Sequence, residues 1–357
     1  MPASSNRLDW VDMAKGLSIF LVVMMYAAAS VGEDTGGVGA FHWAIAFATP
    51  FRMPEFFLIS GLFLSQVIDR PWRAFADRRV VHYLYFYVLW AFIHIVFKVG
   101  LLAANPLGMV EQLAWAVVEP YGVLWFIYLL AVVGAVTKLM HALRAPVWAV
   151  LAVAAILQMA AIHTGSYAID QFAAYFVFFY AGYVLAPLLF RLSGWASDHI
   201  ALALAGLVAW VAVHAALVFS PGFAMQPVHP VMGWAGLPGV HLALALAGTA
   251  ALCVIAALLS RLPAMDWLRW MGSKSLIIYV AFVLPLGISR TLLIRFGLIE
   301  PTMLTALTMA IAIVSPLVFY ALVKRTGMGN FLFERPDWAH LPGTRRHHEQ
   351  LATNPAE

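Results

Sequence analysis

Apolar residues along this chain gather into ten runs, separated by short polar stretches or stretches rich in glycine and proline. The runs cover roughly 14–32, 48–67, 81–103, 121–140, 146–163, 170–190, 199–219, 238–259, 273–293 and 302–323. An α-helix rises about 1.5 Å per residue, so about 20 mainly apolar residues cross a hydrocarbon core. No run shows a strand pattern, and no internal repeat is visible. The pattern predicts an all-α, polytopic integral membrane protein with about ten transmembrane helices. One transmembrane domain is expected over residues 8–326, followed by a cytoplasmic C-terminal tail over 327–357 that is partly disordered. Arg52 and Glu55 weaken the second run.

Charge placement orients the runs, because cytoplasmic connections carry the excess of Lys and Arg. With Arg7 and Lys15 on the cytoplasmic side, the connection at 33–47 faces outward and holds Glu33 and Asp34 but no Lys or Arg. The next, about 68–80, holds Arg70, Arg73, Arg78 and Arg79. The connections at about 104–120 and 220–237 again lack basic residues, whereas Arg144, Arg191, Arg261, Arg269 and Lys274 fall on the cytoplasmic turns. Arg295 is a mild exception. The tail carries Lys324, Arg325, Arg335, Arg345 and Arg346. The alternation predicts both termini in the cytoplasm. The connection at 220–237, with Pro221, Gly222, Pro227 and Pro230, reads as an irregular outward loop able to face a substrate.

Composition agrees: the 357 residues are 63% hydrophobic and 11% charged, with a mean hydropathy of +0.87. A soluble domain carries about 25% charged residues. The net charge of +4 is spread between apolar runs as topology requires, so nucleic acid is not an expected partner; the lipid bilayer is. Cys253, the sole cysteine, cannot form an internal disulfide and reads as a small buried hydrophobe. The opening also carries the marks of a cleavable signal peptide, ending in Ala27-Ala-Ala-Ser30. The later runs hold the protein in a membrane either way.

Charged residues within or at the lip of a span are functional candidates by default. Lys15 and Tyr26 are 11 residues apart on the first run, about three turns plus 20°, or about 16 Å of rise, so they share one helix face. Asp12 lies at i−3 from Lys15 and can pair with it. Lys15 otherwise reads as a side chain snorkelling to the interface. Arg52 and Glu55 are also three apart, able to neutralise each other as a structural pair or to face a polar ligand. The arginines at 70–79, with His82 next along the chain, are either a topology signal or a phosphate-binding cluster, since guanidinium groups bind phosphate bidentately. His94 reads as a core histidine or a further imidazole. Trp125 reads as an interfacial aromatic anchor. Ser275 and Tyr279 either line a polar channel or pack. No metal motif, phosphate loop, dinucleotide fingerprint or nucleophile elbow appears.

Several segments carry a resemblance: Asp12-Met-Ala-Lys15-Gly16, Phe51-Arg-Met-Pro-Glu-Phe-Phe-Leu-Ile-Ser-Gly61, Leu124-Trp-Phe126 and Gly272-Ser-Lys-Ser-Leu-Ile-Ile-Tyr279. In order and spacing they resemble the membrane acyltransferase-3 family, of the fucose 4-O-acetylase-like kind, over about 330 residues. The resemblance implies an inner (plasma) membrane O-acyltransferase. It would use acetyl-CoA or another acyl-CoA as co-substrate, with no tightly bound cofactor or metal, and a carbohydrate or glycolipid acceptor. Lys15, Arg79 and His82 are then the expected contacts to coenzyme A, with Arg79-Val-Val-His82 in the place of the family's Arg-x-x-Arg. Arg52, Glu55 and Trp125 are expected to address the acceptor.

Tyr26 stands where the family places its catalytic His. Taking a proton from a sugar hydroxyl needs a base that is free near neutral pH, as imidazole is. A phenol meets that need only when a neighbouring cation favours its ionised form. Tyr26 therefore reads as a base, as an orienting hydrogen-bond donor, or as packing. Glu55 is a substitute base if burial raises its pKa. The catalytic set implied is Tyr26, Lys15 and Glu55. Two alternatives stand beside the enzyme: a family member that has lost its chemistry and binds a glycan or lipid, and a transporter that moves one.

Overall fold

A computed structural model of the protein describes residues 6–344. In chain order its α-helices are α1 (Asn6–Thr35), α2 (Ala40–Ala48), α3 (Arg52–Gly61), α4 (Trp72–Ala76), α5 (His82–Ile95), α6 (Pro106–Trp115), α7 (Trp125–Ala142), α8 (Val147–Met159), α9 (Tyr167–Asp198), α10 (Ile200–Val218), α11 (Pro238–Leu259), α12 (Asp266–Ser273), α13 (Ser275–Ala281), α14 (Val283–Arg295) and α15 (Pro301–Thr326). Among the described residues the only β feature is one antiparallel bridge, Ala224 to Val231. The protein is an all-α, polytopic membrane protein. Of the tail, residues 345–357, with Arg345 and Arg346, lie outside the described residues.

Among the described residues the expected ten spans become seven helices long and apolar enough to cross a membrane, or eight if α13 and α14 count as one bent span. Each departure has a local cause. The second run breaks at Thr49–Phe51, where Pro50 has no amide hydrogen to donate to the preceding turn. The helix beyond this break, α3, is only ten residues long. The fifth run gives α8, whose 13 residues reach about 20 Å, short of a roughly 30 Å core. The ninth run bends by 56° between α13 and α14. Pro285, one turn into the bend, cannot donate to Ala281 and its ring crowds that carbonyl. The third run lengthens instead. α4 and α5 join through a π-helical turn at Asp77–Val81, and a second one at Val96–Leu102 carries the helix on.

The chain folds into two compact units. One comprises Met1–Phe63, Leu151–Ile162 and Ala173–Val318; the other comprises Leu64–Val150, His163–Phe172 and Phe319–Glu357. In the first, α1 packs against α2, α3, α11, α12 and α13, and α10 against α2 and α11. Glycines set the closest crossings. A Cβ on Gly272 would penetrate the Asp12 carbonyl, and one on Gly16 the Leu268 carbonyl, so α1 and α12 meet backbone to backbone. Gly61 and Gly182 do the same for α3 and α9, against Phe179 and Leu58. The connection at 220–237 is ordered by paired bonds between Ala224 and Val231 at 2.9 and 3.0 Å. There the Trp234 amide also donates to Ser220 Oγ at 2.6 Å.

In the second unit α5 packs against α6 and α7. The segment after α15 is held on α5 and on the π-helical turn before it. Tyr85 donates to the Phe331 carbonyl at 2.8 Å, and Trp90 Nε1 to the Leu332 carbonyl at 3.0 Å. Asp77 anchors the end of this strap. It pairs with Arg335 at 2.6 Å, accepts from the Leu341 amide at 2.8 Å and lies 3.1 Å from His340 Nδ1. Asp77 and Arg335 side chains are each only 4% exposed.

Candidate active site

The site in the first unit is built on α1, α3 and α9, with α11, α13 and α14 around them. Lys15 and Asp12 form the expected i,i+3 pair on α1 at 3.2 Å, both about one third exposed. The Lys15 ammonium also lies 5.9 Å from the Phe63 ring centroid. Farther along the helix the Tyr26 ring packs against Phe282, centroids 5.5 Å apart. Phe282 occupies the bend between α13 and α14, so the kink that shortens the ninth run also supplies the wall behind Tyr26.

Arg52 opens α3, and its guanidinium lies within electrostatic reach of the phenols of Tyr26 and Tyr175. Its Nε and Nη1 are shut off from solvent and have no hydrogen-bond partner in the protein. Glu55, one turn on, is fully buried at 0% exposure. Neither carboxyl oxygen has a protein partner. The neighbouring Ser18 hydroxyl is committed to the Ala14 carbonyl at 2.8 Å. The Cys253 thiol, fully buried as the sequence suggests, is the other polar neighbour of Glu55. Arg52 and Glu55 therefore do not neutralise each other, contrary to the expectation of a structural pair. Three helical residues leave their side chains about 60° apart. Arg52 turns to tyrosines on α1 and α9, and Glu55 to Ser18 and Cys253.

Tyr175 is the functional candidate that sequence reasoning missed. It stacks on Phe57 at 5.0 Å with planes 8° apart, which sets its phenol beside Arg52. It sits in an aromatic run, Tyr175-Phe-Val-Phe-Phe-Tyr180, where nothing distinguishes one ring from the next. Tyr279 is 3% exposed and lies 6.2 Å from Phe56 and 6.3 Å from Phe282 by ring centroids. Arg52, Tyr26 and Tyr175 thus form an interior polar cluster sheathed in aromatic rings, with the buried Glu55 one turn further along α3. It can orient a hydroxyl, accept its proton at Glu55 and offer guanidinium donors to a developing negative charge.

The remaining candidates lie in the second unit. Arg79 sits in the π-helical turn, half-buried, and acts electrostatically on His82 together with Arg335, Asp77 and His340. The His82 ring packs edge-on against Phe86 at 5.1 Å. Trp125 is 6% exposed and contacts Phe126 and Tyr167. It is a buried aromatic rather than a lipid-facing anchor. His94 is 1% exposed, against Trp90. Asp77, which organises this region, carried no signal in the sequence because its partners lie more than 250 residues downstream.

A many-spanned helical membrane protein whose interior holds a guanidinium and a carboxyl that do not pair with each other is compatible with a membrane enzyme or a carrier. The comparison of sequences narrows this. The acyltransferase-3 family model, described as an acyltransferase domain, matches residues 8–321. The chain belongs to that family. No curated protein and no solved structure matches it.

Proposed function

We propose that this membrane acyltransferase moves an acyl group, acetyl in the simplest case, from acyl-CoA to a hydroxyl of a carbohydrate-type acceptor. The reading places it in the inner (plasma) membrane with both termini cytoplasmic. The observation that carries it is that Arg52 and Glu55, one turn apart inside the protein, do not pair: Nε and Nη1 of the half-buried Arg52 and both oxygens of the fully buried Glu55 lack a protein partner, and the guanidinium lies within electrostatic reach of Tyr26 and Tyr175. Unpaired polar groups inside a membrane protein are costly and are characteristic of functional sites. In the proposed step Glu55 takes the acceptor hydroxyl proton, and the oxygen attacks the thioester carbonyl. The C–S bond then breaks, releasing coenzyme A thiolate, which takes up a proton. Arg52 stabilises the oxyanion, a kind of contribution worth about 3–4 kcal/mol when one donor is removed. Tyr26 orients the hydroxyl. Lys15, Arg79 and His82 are the proposed contacts to the coenzyme A phosphates, and Trp125 a proposed acceptor contact.

One observation favours a second reading, a family member without transferase activity: a tyrosine packed on Phe282 stands where a His is expected. Acyl-CoA transfer by purified protein separates the two. Under the enzyme reading, wild type releases free thiol in an acceptor-dependent manner, and Tyr26→Phe lowers that rate while remaining folded. An inactive wild type that gains activity on Tyr26→His would replace the enzyme reading with the second one. Full activity in Tyr26→Phe would remove the phenol from the mechanism.

A further inference from the structure

Away from the polar cluster, the first unit carries two adjoining hollows of opposite character. Where α9 ends and α10 begins, a polar pocket of about 1080 Å³ opens among Trp10, Phe190, Arg191, Trp195, Asp198 and Arg261. Its charged groups are two arginines against one aspartate. Arg191 and Arg261 are exposed, and Arg261 uses Nη1 on the Ser197 carbonyl, leaving its other donors available. Trp195 forms a wall of this pocket and also of a second hollow of about 220 Å³. The second one is apolar. It runs between α9, α10 and α11 past Leu202, Gly206, Leu207 and Ala251 to Trp210. From Leu202 to Trp210 is eight residues of α10, about 12 Å along the span.

A cationic pocket at the end of the spans that continues into an apolar groove along them matches an amphiphile with a phosphate head and a hydrocarbon tail. Basic pockets between transmembrane helices bind anionic lipid headgroups, and the groove faces outward, with Leu202 61% exposed. Small side chains at Ala203, Gly206 and Ala251 keep it open. We infer that this surface is a binding site for an anionic phospholipid of the surrounding bilayer. Its phosphate lies on Arg191 and Arg261, and one acyl chain lies along α10 as far as Trp210. The site is separate from the polar cluster and stands whether or not the proposed transfer reaction is correct.

The test is lipid retention by the purified, delipidated full-length chain, counted by native mass spectrometry. The probes are phosphatidylglycerol, phosphatidylcholine and palmitoyl-CoA. Wild type should retain phosphatidylglycerol in preference to phosphatidylcholine. Each arginine near the headgroup is worth roughly fivefold in affinity, so Arg191→Ala with Arg261→Ala should cut phosphatidylglycerol retention roughly 25-fold and leave phosphatidylcholine unchanged. A Cβ at Gly206 meets no atom within 4 Å, so a side chain can start there, and Gly206→Phe places a ring in the groove; the variant's melting temperature is compared with that of wild type. That variant should lose the long-chain lipid but still bind the dihexanoyl form. Equal retention of the two lipids by wild type would overturn the inference. So would undiminished retention by the double arginine variant or by Gly206→Phe. Displacement of phosphatidylglycerol by equimolar palmitoyl-CoA would reassign the surface to an acyl donor.

Discussion

Replacing Glu55 by leucine should make the protein more stable and inactive at once. The carboxyl is at 0% exposure and neither oxygen has a protein hydrogen-bond partner. A buried polar group left without a partner costs about 1–3 kcal/mol on mutational scales. Leucine has a similar volume, and its neighbours in this region include Phe56, Phe57 and Leu58, all buried. Glu55→Leu removes the desolvation cost and should raise stability by about 1–3 kcal/mol, a rise in melting temperature of roughly 2–4 °C per kcal/mol. Glu55→Gln keeps the polar burden and should leave the melting temperature nearly unchanged. Both variants lose the proton acceptor, so transfer should fall by about 10²- to 10⁴-fold, the usual scale of general-base catalysis. Thermal unfolding in detergent and thiol release from acyl-CoA measure the two effects on the same samples. A Glu55→Leu variant that melts earlier than wild type would mean the carboxyl has a structural partner, and the argument from its isolation would fail. Wild-type turnover in Glu55→Gln would exclude it as the base.

Three further outcomes test other parts of the structure. Arg335→Ala removes one half of a pair buried to 4% exposure on both sides and should cost about 3 kcal/mol, the lower end for breaking a buried pair, because Asp77 keeps the Leu341 amide; proteolysis within residues 327–344 should accelerate, and an unchanged cleavage rate would refute the strap. Gly272→Val drives a side chain into the Asp12 carbonyl and should destabilise by about 1–3 kcal/mol, whereas Gly134→Ala, with open space at its Cβ, should be neutral or gain up to about 1 kcal/mol; equal melting shifts in the two would sink the crossing argument. Reporter fusions at residue 228 should report the outer side and at residue 350 the cytoplasm, and the reverse result at either position would overturn the proposed topology.

Hydrophobic periodicity was enough to place every apolar run on a helix, because run length and composition decide whether a segment can leave water. It did not reveal where helices break. Pro50 and Pro285 are plain in the sequence, but a proline inside an apolar run is compatible with a kinked continuous span or with two short helices, and only packing decides between them. The candidate site was legible only as a set of residues to inspect. Charges inside runs pointed to Arg52 and Glu55, and the face shared by Lys15 and Tyr26 was readable from spacing. Tyr175 was invisible among its aromatic neighbours, since its role depends on which ring stacks on Phe57. Asp77 with Arg335 was invisible for a different reason: a contact across more than 250 residues leaves no periodic trace. The glycines show how a short motif acquires physical meaning. Gly16 and Gly272 belong to separate sequence segments, and each exists at a point where one helix backbone touches the other.

The breaks and the charges are connected. α3 begins just after the interruption at Pro50, so Arg52 and Glu55 occupy its first turn. The N-terminus of a helix carries a partial positive charge, which favours an anion there and disfavours a cation. Glu55 is therefore well placed by the backbone, and Arg52 is poorly placed. Arg52 finds no compensation in Glu55, to which it is not bonded, and its Nε and Nη1 have no protein partner. The guanidinium, within electrostatic reach of Tyr26 and Tyr175, is thus added to a helix end of the same sign. Such an arrangement costs energy at rest and lowers it when negative charge appears nearby, which is what electrostatic stabilisation of an oxyanion requires. The irregular backbone that spoils the second run as a membrane span is tolerable because it is enclosed by protein. The same break brings the dipole and the guanidinium to one place, which an unbroken helix crossing the bilayer would not do.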